Sequence, residues 1–588
     1  MITQMKKYTF LVLASAYDAF LTELRDAGVV HITLKGEGIA DNEELASVMA
    51  RADELRRLLK QGAPDQLLRE KAEVEQRIQQ TANEIARMRI WGSFSHQRLA
   101  QLREAGYELY FYTCPSAAFK EEWGIRVEDV KGVTYFVSLA PVDDEAAQLQ
   151  TLNEKCADDL EHDADALRGL LVAAETRIQA WWTANQASLE AELQEVSRQI
   201  DWKRVSLSTD TLAEGTLRLL EGFCPVDKTE ALEQKLAQSA CYYEAENPKP
   251  EDATPIKLHN NRFTRLFEVL TGMYGWPNYG EFDPTPILGP FFLLFFSLCI
   301  GDAGYGLLLI LVGALIHKGK LKIEMFEGLG PIIMALGVGS TLIGYLMGGF
   351  FGIDLYAAQW FPQAAKSVMF KGWIGANGVV DAMGQSYDVM MVLALVIGVI
   401  HICLAMTIKC ICSTKRFGFK QTISSWGWLV LIVGGISVFI LSSIGLFGAQ
   451  VTSVLLIAIA AISALGIFIF NTPGRNPLIN IGAGLWDTYG MATGILGDVL
   501  SYIRLYALGL AGGMLGMAFN QLGTMFLGEQ PNVWRWVGFI LIVTFGHVLN
   551  LLMACLGAFV HPLRLTFVEY FKNAGYEGSG KLYQPFKK

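Results

Sequence analysis

The chain has 588 residues, 52% hydrophobic and 18% charged, with a net charge of −10 and a mean hydropathy of +0.30. That is too apolar for a wholly soluble protein and too charged for a wholly membrane-embedded one, and the length calls for more than one domain. The pI of about 5.5 carries no nucleic-acid footprint.

Most of the 58 acidic residues precede Asp302. The front half therefore reads as soluble and the back half as membrane. The nine cysteines show no C-x-x-C spacing, and those of the front half are scattered. Nothing in this pattern suggests a disulfide framework, and it fits a reducing, cytosolic face.

The start, Met5-Lys6-Lys7 followed by Tyr8 to Ala16, has the outline of a signal peptide. It runs on into an amphipathic helix (Phe20, Leu21, Leu24, then Gly28) and a strand, Val29 to Leu34, so it reads as folded structure. Residues 1–35 form a β-α-β unit. From Asn42 the apolar residues Leu45, Val48, Ala52, Leu55 and Leu59 recur every three or four positions. After Gly62-Ala63-Pro64 the seam resumes through Leu67, Val74, Ile78, Ile85 and Met88, which is a coiled-coil pattern.

Residues 107–112 and 133–139 read as strands of a small α/β lobe. Helix returns over 144–206, with Leu189, Leu193, Val196 and Ile200 closing the seam. The expectation is an antiparallel hairpin of 42–103 and 144–206, about 60–70 Å long at 1.5 Å per residue, with a distal lobe at 104–143. A second β-α-β unit, 216–246, repeats the order of the first and is expected to pair with it as a near-membrane lobe. Asn247-Pro248-Lys249-Pro250 begins a connector. The whole arm is then 1–258, with a linker at 259–286 and a transmembrane domain at 287–588.

Candidate spans are 287–316, 329–352, 387–411, 425–447, 450–471, 482–522 and 533–572. Basic clusters follow several of them: His317 to Lys322, then Lys409 with Lys415, Arg416 and Lys420, then Arg475, with Lys581, Lys587 and Lys588 at the end. With the arm cytosolic, all these clusters stay inside only if 287–316 crosses twice. Eight spans result, with Gly301-Asp302-Ala303-Gly304 as an outer turn and the C-terminus cytosolic. Asp302 is then a turn residue or part of an ion path. The last two segments, about 40 residues each, exceed the roughly 30 Å hydrocarbon layer and must tilt, bend or project.

Arg504 lies deep in the first of these, about 22 and 18 residues from the ends of the 482–522 segment. A mid-bilayer arginine costs about 2.5–3.5 kcal/mol on insertion scales, and its guanidinium stays charged. Snorkelling over that depth is hard, so the residue reads as a fixed cation facing a carboxylate of another protein. Arg564 sits in the last segment within His561-Pro562-Leu563-Arg564. By helical spacing Asn550, His561 and Arg564 share a rough face, and His547 lies off it. Asp498 is the candidate lining of a half-channel, with helix–helix hydrogen bonding the plainer role for Asn550. Asp487 is expected at the membrane surface and Glu569 among the headgroups.

Five ordered motifs resemble the membrane stator subunit of rotary V/A-type ATPases, subunit I of bacteria and archaea and subunit a of eukaryotes. They are Leu220-Glu221-Gly222-Phe223-Cys224-Pro225; Met273-Tyr274-Gly275-Trp276-Pro277 with Glu281 to Pro286; Gly301-Asp302-Ala303-Gly304-Tyr305-Gly306; Ser501-Tyr502-Ile503-Arg504-Leu505; and His561-Pro562-Leu563-Arg564-Leu565. The resemblance implies a multidomain fold: cytosolic α/β lobes joined by the antiparallel coiled coil, plus a polytopic α-helical membrane domain. It implies that Arg504 faces a rotor ring of proteolipid c/K subunits and that Arg564 supports it. Ser501, Asp498, Asn550 and His561 complete the candidate ion-translocation set. Gly512 and Ala554 depart from the eukaryotic pattern of His and Glu, which leaves the half-channel lining open.

The further partners implied are peripheral-stalk E/G-type subunits, central-stalk-associated subunits and the lipid bilayer, with no nucleic acid, cofactor or metal. The expected location is a bacterial or archaeal plasma membrane. The chain lacks a GxxxxGK[ST] loop, so it reads as a non-catalytic part of an enzyme complex. The alternatives are a secondary ion transporter, which usually shows internal repeats, and a membrane-anchored coiled-coil tether, which leaves Arg504 without a purpose.

Overall fold

The structure, a computed structural model, describes residues 2–33, 42–92, 96–152, 155, 157–212, 216–239, 241–249, 251–320, 328–370, 379–382, 385–469, 477–528 and 532–587. Leu34, Pro250, Lys322, Arg475 and Lys588, used above for a strand end, a connector and the basic clusters, lie outside these residues. The chain divides into two compact units, Thr33–Leu220 and the pair of segments Met1–Ile32 and Glu221–Lys587.

In the 33–220 unit, Glu43–Gln61 and Asp65–Arg89 pack along one 51-residue helix, Ala157–Leu207. The Asn42 side chain caps the first helix by accepting from the Leu45 N–H at 3.0 Å. Gly62, at φ +74°, ends that helix in a left-handed cap. Leu45, Ala52 and Leu55 bury against Leu189, Val196 and Ile200, and Met88 against Ala157 and Leu160 at the other end. Ion pairs fix the direction: Glu44 meets Lys203 at 2.7 Å, Arg51 meets Glu192 at 2.7 Å, Lys71 meets Glu175 at 2.9 Å, and Arg89 meets Glu161 at 2.7 Å. Rising numbers on one side meet falling numbers on the other, so the pairing is antiparallel. Exposed pairs of this kind set register more than stability.

Beyond Arg89 a four-stranded sheet carries the strands in the order Ile125–Val130, Val133–Ser138, Tyr110–Pro115, Gln148–Leu149. Lys131 and Gly132 both have positive φ, as a two-residue hairpin of the primed type requires. Tyr112, Cys114 and Phe136 form its core.

The other unit begins with a sheet in the order His31–Ile32, Leu217–Pro225, Met5–Leu13, Cys241–Glu246. The two β-α-β segments therefore share one sheet. Tyr8, Phe10 and Val12 alternate inward with Phe20, Leu21 and Leu24 of the first helix. Asp252, 2.8 Å from Lys7, raises that ammonium above the usual lysine range. The segment 259–286, expected as a linker, forms the short helices Arg262–Leu266 and Glu268–Tyr274. Phe267 and Leu270 anchor it in the main apolar core.

The tail is laced into the same unit. Ile256 N–H donates to Lys581 O and Tyr583 N–H to Ile256 O, both at 2.8 Å, and Phe586 N–H donates to Val30 O at 2.8 Å.

Among the described residues, six helices are long and apolar enough to cross a membrane: Gly330–Met347, Val389–Phe417, Ile423–Ser443, Ala449–Ile469, Ile479–Leu527 and Val533–Ala574. Thr285–Ile300 and Ala303–His317 are apolar but shorter. The 287–316 stretch thus breaks into two helices at Gly301-Asp302. Gly301 closes the first at φ +57° and the Asp302 side chain caps the second. The 49-residue Ile479–Leu527 element is interrupted at Tyr502 into Pro477–Ser501 and Ile503–Leu527. The last helix passes into a π-helical turn over Leu565–Tyr570.

Truncation of the fully buried Leu55 by Leu55→Ala is expected to destabilise the 33–220 unit by about 2–5 kcal/mol through the cavity it leaves. Chemical denaturation of the purified chain, followed by protection of this unit from protease, measures it; Arg51→Ala is expected to stay close to wild type.

Candidate functional site

Arg504 opens the Ile503–Leu527 helix immediately after the break at Tyr502. Tyr502 is fully buried, with its hydroxyl 2.8 Å from His401 Nδ1. This anchors the break and fixes where the arginine emerges. Arg504 is half-buried, and its Nη1 is buried with no hydrogen-bond partner among the described residues. A charged donor left in that state is costly unless a group from outside the chain meets it.

Two cavities of about 350 Å³ flank it along the chain. One is lined by Asp302, Asp354, Asp388, Tyr506, Gly509 and Gly513, all on the far side of Arg504 on its own helix or in connecting turns. The other is lined by Asp487, Gly490, Gly494, Asp498, Lys572 and Asn573, on the near side. Arg504 lines neither.

The predicted residues fall in different places. Asp498 accepts from Asn573 Nδ2 at 2.7 Å and pairs with Lys572 at 3.7 Å, so it forms the wall of the second cavity. The Ser501 hydroxyl donates to Gly497 O at 3.0 Å and lies within hydrogen-bonding reach of Glu569. His561 is half-buried with Nδ1 unpartnered among the described residues, and both Arg504 and Arg564 act on it electrostatically. Arg564 is exposed. It shares its surface with Leu552, Met553, Leu556, Val560 and Val568, each 48–64% exposed.

Asn550 turns inward instead. It is 1% exposed and donates to Tyr305 Oη at 2.9 Å and to the Gly512 carbonyl at 2.8 Å. From Tyr305 the chain of bonds continues to His547 Nδ1 at 2.7 Å, and from His547 Nε2 to Asn520 Oδ1 at 3.0 Å. Asn520 donates in turn to the Phe351 carbonyl at 2.7 Å. The directions fit an imidazole with its proton on Nε2. His547, off the face that helical spacing picks out, is thus central to a polar link between three helices.

Asp302 is 3% exposed and fully engaged. One carboxylate oxygen accepts from the N–H groups of Gly304, Tyr305 and Phe351, at 2.8, 3.2 and 2.9 Å, and the other from Gly352 at 2.9 Å. These bonds hold Phe351 and Gly352 at positive φ, a conformation costly for a phenylalanine. A Cβ on Gly352 would lie 2.4 Å from the Gly516 backbone, so this turn sits directly on the arginine-bearing helix. The acid therefore builds the wall of the first cavity.

Besides His547, sequence reasoning misses two residues. No spacing or motif singles out Lys572, and Glu569, expected among headgroups, is 3% exposed inside the protein. The π-helical turn is the reason: its extra residue rotates the remainder of the helix, so Glu569 falls on a face that a 3.6-residue period does not give it.

Comparisons with known proteins agree with the motifs. The V-type ATPase 116kDa subunit family matches residues 137–368. The V-type ATP synthase subunit I of Borreliella burgdorferi is 25% identical over 637 aligned positions, covering all of both chains. Together these matches support a V/A-type ATPase subunit I. The V-type ATP synthase subunit I 1 of Treponema pallidum is 26% identical, again over the full length of both. The A-type ATP synthase subunit I of Methanocaldococcus jannaschii is 32% identical over 379 residues, 61% of this chain and 53% of that protein. The chain thus spans about half the length of that relative. With six helices among the described residues long and apolar enough to cross a membrane, it is a membrane protein.

Asp302→Ala is expected to destabilise the chain more than Asn550→Leu. The first removes charge-assisted bonds each contributing about 1.5–3 kcal/mol net; the second removes interhelical bonds of about 0.6–1.7 kcal/mol. Thermal unfolding of the two purified variants in detergent gives the order.

Proposed function

We propose that this chain is the non-catalytic stator subunit of a rotary V/A-type ATPase or ATP synthase. In this reading it forms two ion half-channels against a rotor ring of proteolipid subunits and so couples H⁺ or Na⁺ movement to rotation. The observation that carries the reading is Arg504: a permanent cation with an unpartnered buried donor, between two separate acid-lined cavities. A rotor carboxylate takes an ion from one cavity and releases it into the other. The guanidinium attracts the ionised carboxylate, favours release, and bars an ion from passing straight across.

Arg564 lies on an exposed apolar surface of the last helix and holds the contact as the ring turns. Gly512 carries no side chain, and its carbonyl accepts from Asn550. The first cavity is instead edged by Asp302, Asp354 and Asp388. The two short apolar helices pass in and out beside Asp302, for eight crossings in all. The arm is cytosolic and its antiparallel helices form a coiled coil. It takes up reaction torque through peripheral-stalk subunits and meets central-stalk-associated ones. The C-terminus is cytosolic and the membrane is the plasma membrane.

ATP-driven ion pumping by the reconstituted complex tests this, with assembly checked by pull-down of rotor and stalk subunits. Arg504→Ala is expected to assemble and to pump at background level. Wild-type pumping by that variant would sink the proposal and favour a tether.

A further inference from the structure

Glu569 is a carboxylate 3% exposed in the π-helical turn that follows Arg564. Its Oε2 is buried without a hydrogen-bond partner among the described residues. Arg504 Nη1 and His561 Nδ1 share that condition. The groups facing Glu569 are Ser501, Tyr502 and Arg504 on the neighbouring element, and Arg564 on its own helix. Asn573 bonds to both the Glu569 carbonyl, at 2.6 Å, and the Asp498 carboxylate, at 2.7 Å. Asn573 thus ties the backbone at Glu569 to the Asp498 carboxylate that walls the second cavity. A buried carboxylate with one oxygen left open, within the field of two fixed cations, is costly to keep for packing alone.

We propose that Glu569 is a second cation-holding site of the stator, occupied transiently by the translocated proton or sodium ion between the rotor carboxylate and the Asp498 cavity. For a proton, the O–H bond of the rotor acid breaks and one forms at Glu569 Oε2. The rotor carboxylate is left facing Arg504, and Glu569 then yields the proton to water in the cavity. For sodium, Glu569 replaces the rotor carboxylate as an oxygen ligand. Synthesis runs the steps backwards. The proposal rests on the stator reading above.

The test uses the intact reconstituted complex, with Glu569→Gln, Glu569→Asp and Arg504→Ala assayed side by side. Pumping is measured against pH without sodium, and against sodium at fixed pH. Glu569→Gln is expected to lower pumping at least tenfold and to shift the pH midpoint or the sodium half-saturation at least threefold. Glu569→Asp is expected to keep pumping within about threefold of wild type. A midpoint shift in pH identifies the proton, and a shift in sodium dependence identifies sodium. Pumping by Glu569→Gln within twofold of wild type overturns the proposal. So does equal impairment of the Gln and Asp variants with unshifted profiles. If the Gln variant fails to assemble, Ser501→Ala decides: an unshifted profile there also overturns the proposal. Pumping by Arg504→Ala brings down the stator reading itself, whereas a silent Arg504→Ala beside a normal Glu569→Gln brings down only this one.

Discussion

A guanidinium that cannot lose its charge, set in an apolar helical bundle with one donor unanswered, is the constraint on which the rest of the membrane unit depends. Such a group needs a rigid mount and an anion brought to it. The mount is Tyr502, fully buried and tied to His401, at the break between two 25-residue helices. On the far side, Asp302 clamps the Phe351-Gly352 turn onto the backbone of the arginine's own helix. The Asn550–Tyr305–His547–Asn520 chain joins that helix to two others. Polar groups here are spent on holding helices in register, whereas one donor of the arginine stays unanswered among the described residues.

The two cavities differ in their charge, and the difference suits opposite tasks. The first gathers Asp302, Asp354 and Asp388 and has no basic residue in its lining among the described residues, a field that concentrates cations. The second carries Lys572 beside Asp498, so its acid is partly balanced and a cation there is held less tightly. In the proposed mechanism that asymmetry places entry and exit on different chemistry, with Arg504 as the divide.

Much of this is legible in the sequence, for physical reasons. The long helices of the 33–220 unit announce themselves through a repeating seam and Gly62-Ala63-Pro64. The break at Gly301-Asp302 comes from counting charges on the loops, which needs no structure. Pairings are the part that does not show. In a helix that is apolar nearly all round, no periodicity says which polar residue meets which neighbour, so spacing passes over His547, while the plainer reading of Asn550 as a helix–helix hydrogen bond agrees with its bonds to Tyr305 and Gly512. Glu569 is misplaced because a π-helical turn shifts the phase of the helix by a residue. Segment 259–286, expected as a linker, is instead buried by Phe267 and Leu270.

The most direct test of two half-channels separated by Arg504 is sided labelling of introduced cysteines in sealed vesicles of the assembled complex. Gly494 and Gly513 each have room for a side chain, with nothing nearer than 4.0 Å to an added Cβ, and each lines one cavity. With a membrane-impermeant thiol reagent and the wild-type chain as background, the account predicts labelling of Gly494→Cys from the cytosolic face only and of Gly513→Cys from the opposite face only. Labelling of either position from both faces, or of both positions from the same face, would contradict it.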